Sequence, residues 1–156
     1  MSEPDVRMHG GEGGINPTAE QLAAVVAAHP TGSIQMVNLL KYRERAAYPA
    51  DYAGDPSPDC SGAEAYQRYG AVAYAHVTAR GGRFVLYSDV DGVVLGDMGH
   101  DEWDQVAIVE YPSVDAFLDM GQDPDYLAAT VHRTAGLERS VILATTAIID
   151  ASAPPA

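Results

Sequence analysis

The segment that follows Ser61 carries the residues best suited to chemistry. Its pattern predicts a helix, and helical spacings of three and four place Tyr66, Tyr69 and His76 on one face. An imidazole beside two phenols can act as a general base with two hydrogen-bond donors. The alternative is that both tyrosines pack with their hydroxyls reaching solvent while His76 lies at the edge of the core.

Two further polar residues interrupt apolar segments. Asn38 lies in an otherwise apolar strand, where a buried amide needs partners or costs about 1–3 kcal/mol. It could orient a substrate carbonyl, or it could bond a neighbouring loop and fix the sheet register. Glu110 alternates with Val106 and Ile108, so the pattern predicts a buried carboxylate with either a raised pKa or a partner.

Cationic residues are scarce and therefore worth locating. Lys41, Arg43, Arg83 and Arg133 could each meet an anionic substrate group, although pairing with a nearby carboxylate is the favoured interpretation. His132 flanks the apolar stripe of the last predicted helix and, with Arg133, could border a pocket; otherwise it is a boundary residue without a function.

Composition excludes several classes of function. The 156 residues hold 22 Asp and Glu but only 9 Lys and Arg, and a net charge of −13 argues against binding nucleic acid or an anionic membrane surface. A single cysteine, Cys60, excludes an internal disulfide and a cysteine-cluster metal site. No dinucleotide, phosphate-loop or nucleophile-elbow motif occurs. We therefore expect no metal, no cofactor and a cytoplasmic location.

The elements that would position these side chains follow the order β-α-β-β-α-β after a first short helix. This order predicts an α+β, ferredoxin-like fold, in which a four-stranded antiparallel sheet carries two helices on one face. The predicted strands are 33–43, 83–89, 105–111 and 141–149; the predicted helices begin at Asn16-Pro17, span 61–80 and 114–120, and restart at Asp123-Pro124 through about Glu138.

The chain is predicted to form one domain, residues 16–150, between two polar ends. Residues 1–15 are glycine-rich and are expected to form a flexible arm, and residues 151–156 a disordered tail. Residues 44–60 contain several prolines and tyrosines and are expected to form a long surface loop. We expect this loop to be more mobile than the strands, or to be ordered by a partner or ligand.

The first strand and the segment QVAIVEY are apolar on both faces. Helices can cover only one face of this sheet, and an exposed apolar face of that size is costly. The simplest cover is a second copy of the same sheet, so we expect a homodimer.

Several stretches resemble an uncharacterised domain family of the dimeric α/β-barrel superfamily. The resemblance covers roughly residues 33–145 and rests on MVNLLKY (36–42), SGAEAYQRY (61–69), GGR (81–83), WD (103–104), EYPS (110–113) and DPDY (123–126). It implies a ferredoxin-like fold and a dimer. The superfamily includes cofactor-free monooxygenases, polyketide cyclases, isomerases, haem enzymes and plain ligand binders, and its cyclases are similar in pairing a His with a Tyr between sheet and helices.

Three hypotheses about function follow. The first is a cofactor-independent cyclase or isomerase acting on a small aromatic or polyketide-like molecule, with its pocket under the 44–60 loop and His76 as the base. Asn38 would hold a carbonyl, and Glu110, Arg83 and His132 would contribute to substrate binding. The second is a non-catalytic dimer that binds a small ligand or serves as an accessory protein. The third is a cofactor-free monooxygenase, in which Trp103 and the tyrosines would line the pocket.

Overall fold

The computed structural model describes residues 14–150. The predicted arm and tail therefore lie, apart from residues 14 and 15, outside the described residues. The elements in chain order are α1 (Ala19–Ala28), β1 (Ile34–Tyr42), α2 (Gly62–Ala79), β2 (Arg83–Asp89), β3 (Gln105–Tyr111), α3 (Val114–Met120), α4 (Pro124–Gly136) and β4 (Leu137–Thr145). None of the helices within 14–150 is long and apolar enough to cross a membrane.

The four strands form one antiparallel sheet in the order β2-β3-β1-β4. Strand β1 is central, with Met36 opposite Val109 on one side and Ala144 on the other. This order, with helical connections from β1 to β2 and from β3 to β4, is that of the ferredoxin-like fold. The predicted α+β fold class is confirmed, and α1 is the expected additional N-terminal helix.

Side-chain capping sets where the helices begin. Ser61 and Glu64 form the predicted capping box, with Ser61 N to Glu64 Oε2 at 2.8 Å, and α2 runs to the expected end near Arg80. The first helix differs from the prediction. Its N-cap is Thr18 rather than Asn16, because Thr18 and Gln21 form a second capping box two residues later.

The last strand lies four residues earlier than the predicted 141–149. Strand β4 follows α4 directly and pairs with β1 from Leu137 to Thr145. Because β1 begins at Ile34, no neighbouring strand remains to pair with residues beyond Thr145. Ile148 and Ile149, which the prediction placed in the strand, are instead almost fully exposed.

The two faces of the sheet have different surroundings. The helix-covered face contributes Ile34, Met36 and Val109 to a core with Val77 and Met120. The opposite face, called the open face below, carries alternating apolar side chains that no described element covers: Val37, Leu39, Leu86, Val106, Ile108, Val141 and Leu143. The expectation of a sheet that is apolar on both faces is met.

Candidate functional site

A cluster of aromatic rings lies where α2 and α4 meet the helix-covered face of the sheet. Tyr66 and Tyr69 of α2 are in contact, with ring centroids 5.3 Å apart. Tyr66 also contacts Tyr42 at the end of β1 at 5.2 Å, and Tyr69 meets Tyr126 of α4 edge-on. The Tyr69 and Tyr126 hydroxyls are hydrogen-bonded at 2.7 Å. The structure thus brings the two predicted phenols together and adds two that sequence analysis did not select.

Main-chain contacts hold α2 and α4 at the spacing this cluster needs. Arg43 N donates to Gly136 O at 2.8 Å, and Gly62 N donates to Arg43 O at 3.1 Å. The start of α2, the end of α4 and the end of β1 are therefore joined through one residue. Glycine at 62 and 136 permits this close approach, because a side chain at either position would meet main-chain atoms.

Three phenols of the cluster hold their protons at neutral pH. Burial raises the pKa of Tyr66, Tyr126 and Tyr42 far above the usual value near 10, since the charged phenolate is disfavoured away from water. Within residues 14–150 the Tyr66 hydroxyl forms no hydrogen bond, and because no buried side-chain oxygen there lacks a partner, this hydroxyl is accessible to solvent. It is therefore a protonated donor that is free to bind an oxygen atom of a ligand.

His76 reaches the cluster from its outer side. Its ring lies edge-on to Tyr126 with centroids 6.1 Å apart, and its Nδ1 lies 3.2 Å from Arg80 Nη1 and 3.6 Å from Asp123 Oδ2. A guanidinium can only donate, so Nδ1 accepts from Arg80 in the tautomer that has its proton on Nε2. In this arrangement His76 offers a hydrogen-bond donor, whereas the sequence hypothesis gave it the role of a base.

Arg133 is a buried cation on the same helix as Tyr126. Two helical turns separate the two residues, so they share one face of α4, and Arg133 is only 7% exposed. Its positive charge lowers the pKa of Tyr66 and Tyr126, partly opposing the larger effect of burial. The expected pairing with a carboxylate is wrong for Arg133: its Nη1 donates to Ile15 O and Asn16 Oδ1.

Asn38 lies on the helix-covered face of β1, and its amide nitrogen already donates hydrogen bonds. Its Nδ2 donates to Met36 O at 3.0 Å and to Ala107 O at 3.3 Å, across the β1–β3 pair. These bonds support the hypothesis that Asn38 fixes strand register. The amide oxygen is the atom left for a ligand, so Asn38 would accept from a hydroxyl rather than donate to a carbonyl.

Glu110 and Arg83 lie on the open face and bind each other. Arg83 Nε lies 3.1 Å from Glu110 Oε1, and Gln35 Nε2 donates to Glu110 Oε2 at 3.1 Å. The hydrogen bond from Gln35 and then the one from Arg83 hold the pKa of Glu110 below its usual value. The predicted partner is present, and the alternative of a raised pKa is wrong. Their register with Gln35 separates this pair from the phenol cluster by the thickness of the sheet.

Trp103 also lies away from the phenols. The guanidinium of Arg139 stacks over its ring at 4.1 Å from the centroid, and Arg139 is in register with Lys41 on the open face. The arrangement expected for a monooxygenase pocket, with Trp103 beside Tyr66 and Tyr69, is not formed within this chain.

His132 is covered by the 44–60 loop rather than by the phenol cluster. Its Nδ1 is 2.7 Å from the Tyr48 hydroxyl, and its ring contacts Tyr48 and Tyr52. Arg68 donates to the same Tyr48 hydroxyl at 3.0 Å and to Ser57 O at 2.8 Å. The loop therefore packs on the outer surface of α2 and α4. The hypothesis had instead placed it above a pocket between the helices and the sheet.

Burial, followed by the charge of Arg68, lowers the pKa of His132 from its ordinary value of 6.5. The unfolded chain therefore binds a proton in a pH range where the folded chain does not. We expect the free energy of unfolding to fall as pH decreases from about 6.5 to the folded-state pKa of His132, with no further loss from this group below it. His132→Gln, which keeps an acceptor for Tyr48 but does not titrate, should show a smaller loss. Urea unfolding of both proteins at about pH 7.5 and about pH 5.5 measures the difference, and equal losses would contradict the shift.

Two surface clefts lie at other places in the fold. One, of about 300 Å³, lies beside the Trp103–Arg139 stack and is lined by Lys41, Glu102 and Glu138. The other, of about 260 Å³, lies between α1 and β4, with Val25 and Ile34 in its wall. Neither cleft includes a residue of the phenol cluster.

Comparison with protein families matches the profile of a domain of unknown function, DUF1330, to residues 58–147. Similar solved structures include the RPA0582 protein of unknown function from Rhodopseudomonas palustris. It is 36% identical, has a TM-score of 0.77, and the match covers 87% of this chain and 98% of that one. No curated protein matches the chain.

Two other solved structures show the range of the likeness. Methylated RPA0582 protein is 35% identical with a TM-score of 0.79, covering 90% of this chain and 99% of that one. A DABB family protein with a ferredoxin-like fold from Mesorhizobium loti is 13% identical with a TM-score of 0.48, covering 76% of this chain and 99% of that one.

Proposed function

The chain belongs to the domain-of-unknown-function family DUF1330, and we propose that it is a homodimer that binds a small aromatic or polyketide-like molecule between α2, α4 and the sheet. The observation that carries the proposal is the unbonded, protonated Tyr66 hydroxyl within a cluster of phenols. Aromatic walls suit a flat apolar molecule, and neutral phenols suit its carbonyl or enolate oxygen.

The catalytic form of this proposal is a cofactor-independent cyclase or isomerase. Such an enzyme removes a proton from the carbon next to a carbonyl and must stabilise the enolate oxygen that forms. Tyr66 is placed to donate to that oxygen, and Tyr69 could join it by turning its hydroxyl from Tyr126. His76 could add a third donor through Nε2. Alternatively it could be the base that the sequence suggested, if Nδ1 releases Arg80.

Hydrogen–deuterium exchange tests the catalytic form directly. A bicyclic ketone such as 2-tetralone exchanges the hydrogens beside its carbonyl through an enolate, and NMR in D₂O follows the loss of signal. An enzyme of this class should accelerate the exchange, and Tyr69→Phe should reduce the acceleration. A non-catalytic binder, which is the second candidate, would leave the exchange rate unchanged while saturation-transfer signals of the ketone still report binding.

The dimer follows from the open face of the sheet. Leu86 is 44% and Leu143 is 51% exposed on this face, and its central apolar residues have no cover within residues 14–150. The β2–β3 connection adds Val94 and Leu95, both almost fully exposed. A second copy packed against this face would bury these side chains, and obligate interfaces often bury about 2,000 Å² or more.

We expect the wild-type chain to sediment as a dimer at micromolar concentration and Leu143→Lys to sediment as a monomer. A lysine there would place a charge in the apolar centre of the interface, where it has no partner. Leu127→Lys is the matched control, because Leu127 is 49% exposed but lies on α4, on the other side of the molecule. A wild-type chain that sediments only as a monomer, or equal sedimentation of both variants, would contradict this interface.

A further inference from the structure

Arg133 is a buried cation without a described counter-charge. It is 7% exposed on the α4 face that also carries Tyr126, and the ion pairs found within residues 14–150 do not include it. The other cations singled out in strands do pair, Lys41 with Asp104 and Arg83 with Glu110. Arg133 therefore differs from them in having no anionic partner among the described residues.

The partners that Arg133 has are neutral, and they use only one of its three nitrogens. Nη1 donates to the main-chain oxygen of Ile15 and, at 3.1 Å, to the amide oxygen of Asn16. Nε and Nη2 have no partner among residues 14–150. These two nitrogens form the edge of a guanidinium that binds a carboxylate with two parallel hydrogen bonds. Removing a guanidinium from water is costly, and neutral oxygens offset that cost less well than an anion does.

The two neutral oxygens come from the segment that precedes α1. Helix α1 begins only at Thr18, so Ile15 and Asn16 are joined to the rest of the fold by a short linker. Their oxygens contact Arg133, although more than a hundred residues separate them from it in the sequence. Both oxygens bind Nη1, so the Nε–Nη2 edge stays available for a ligand while these contacts remain.

We infer that Arg133 is the anion-recognition residue of the helix–sheet site and that the ligand carries a carboxylate, which binds the Nε–Nη2 edge while Nη1 keeps its bonds to Ile15 and Asn16. The inference rests on the proposed function, because it places the ligand's ring among the same phenols. It narrows the substrate class from small aromatic molecules to aromatic carboxylic acids.

A pair of probes that differ only in charge tests this inference. 1-Hydroxy-2-naphthoate carries the carboxylate, and 1-hydroxy-2-naphthamide has the same ring with a neutral amide. Fluorescence titration of the wild-type chain should show the acid binding about ten- to a hundredfold more tightly, the usual gain for a charged hydrogen bond. The net charge of −13 disfavours anions, so a preference for the acid would have to arise from a local cation.

Variants locate the cation. Arg133→Met should abolish the preference for the acid while the amide still binds. If the methionine variant does not fold, Arg133→Lys is measured instead and should retain only part of the preference. Arg43→Met is the matched control, because Arg43 is exposed and makes its described hydrogen bonds through the main chain.

The outcomes separate this inference from the function on which it rests. If the amide binds and Tyr69→Phe weakens it, but the acid has no advantage, the proposed function stands and the role of Arg133 is wrong. If the preference for the acid survives Arg133→Met and disappears in Arg43→Met, the anion site is elsewhere. If neither probe binds at millimolar concentration, both the inference and the proposed function are wrong.

Discussion

Replacing Gly136 by alanine is expected to prevent the chain from reaching its native fold. A methyl group there would overlap the carbonyl oxygen of Gly62 and lie 3.0 Å from the main-chain nitrogen of Tyr66. Both atoms belong to the backbone of the facing helix, so neither can rotate away. We expect a loss of more than about 4 kcal/mol in the free energy of unfolding, measured by urea denaturation followed by circular dichroism.

Gly70→Ala is the matched control for this variant. Gly70 lies inside α2, and a methyl group there would have no atom within 4 Å. Because glycine is a poor helix former, this change should stabilise the chain by about 0.5–1 kcal/mol. Equal stability of the two variants would show that α2 and α4 are not in close contact at Gly136. The phenol cluster would then lose its support, because the Tyr69–Tyr126 hydrogen bond joins these same helices.

The sequence was sufficient for most of the fold because the decisive signals are local. The capping box at Ser61 and Glu64 fixes the start of α2, and alternating side chains mark β2 and β3 at the predicted bounds. The position of β4 depends instead on which residues of β1 remain to be paired. An apolar run such as 141–149 carries no information about that register, so the strand was placed four residues late.

The candidate site was only partly predictable for the same reason. Helical spacing correctly grouped Tyr66 with Tyr69, since residues three apart lie on the same face of α2 and these two rings are in contact. Their contact with Tyr126 depends on how two helices pack, and no local pattern encodes it. Glu110 was a candidate because it alternates with Val106 and Ile108, and Trp103 because its ring could line a pocket with the tyrosines. The register of the sheet places Glu110 on the open face, and Trp103 stacks on Arg139 at that face.

Arg133 illustrates a signal that was present but misread. A lone arginine on the apolar face of a helix is more often paired with a carboxylate, and the sequence offered many acidic residues. In the structure it binds the neutral oxygens of Ile15 and Asn16 instead. The identity of the partner could not be predicted, because it comes from a segment more than a hundred residues away.

His76→Ala is expected to reduce the acceleration of 2-tetralone exchange about a hundred- to a thousandfold, if the chain is catalytic and His76 acts on the enolate. The physical reason is the loss of the donor that Nε2 provides when Nδ1 accepts from Arg80. The fold should survive, because the His76 side chain lies at the edge of the helix layer and is 17% exposed. Thermal unfolding of the variant checks this, and exchange measured by NMR gives the rate.

His76→Gln distinguishes the two chemical roles that the ring could play. A glutamine amide can donate a hydrogen bond but cannot accept a proton near neutral pH, so a donor role should leave part of the activity and a base role none. Tyr69→Phe provides the companion measurement, since it removes one hydroxyl and keeps the ring packing against Tyr66 and Tyr126. If His76→Ala lowers thermal stability and leaves both ligand affinity and exchange unchanged, His76 serves only to position Tyr126 and Asp123, and the catalytic form of the proposal is wrong.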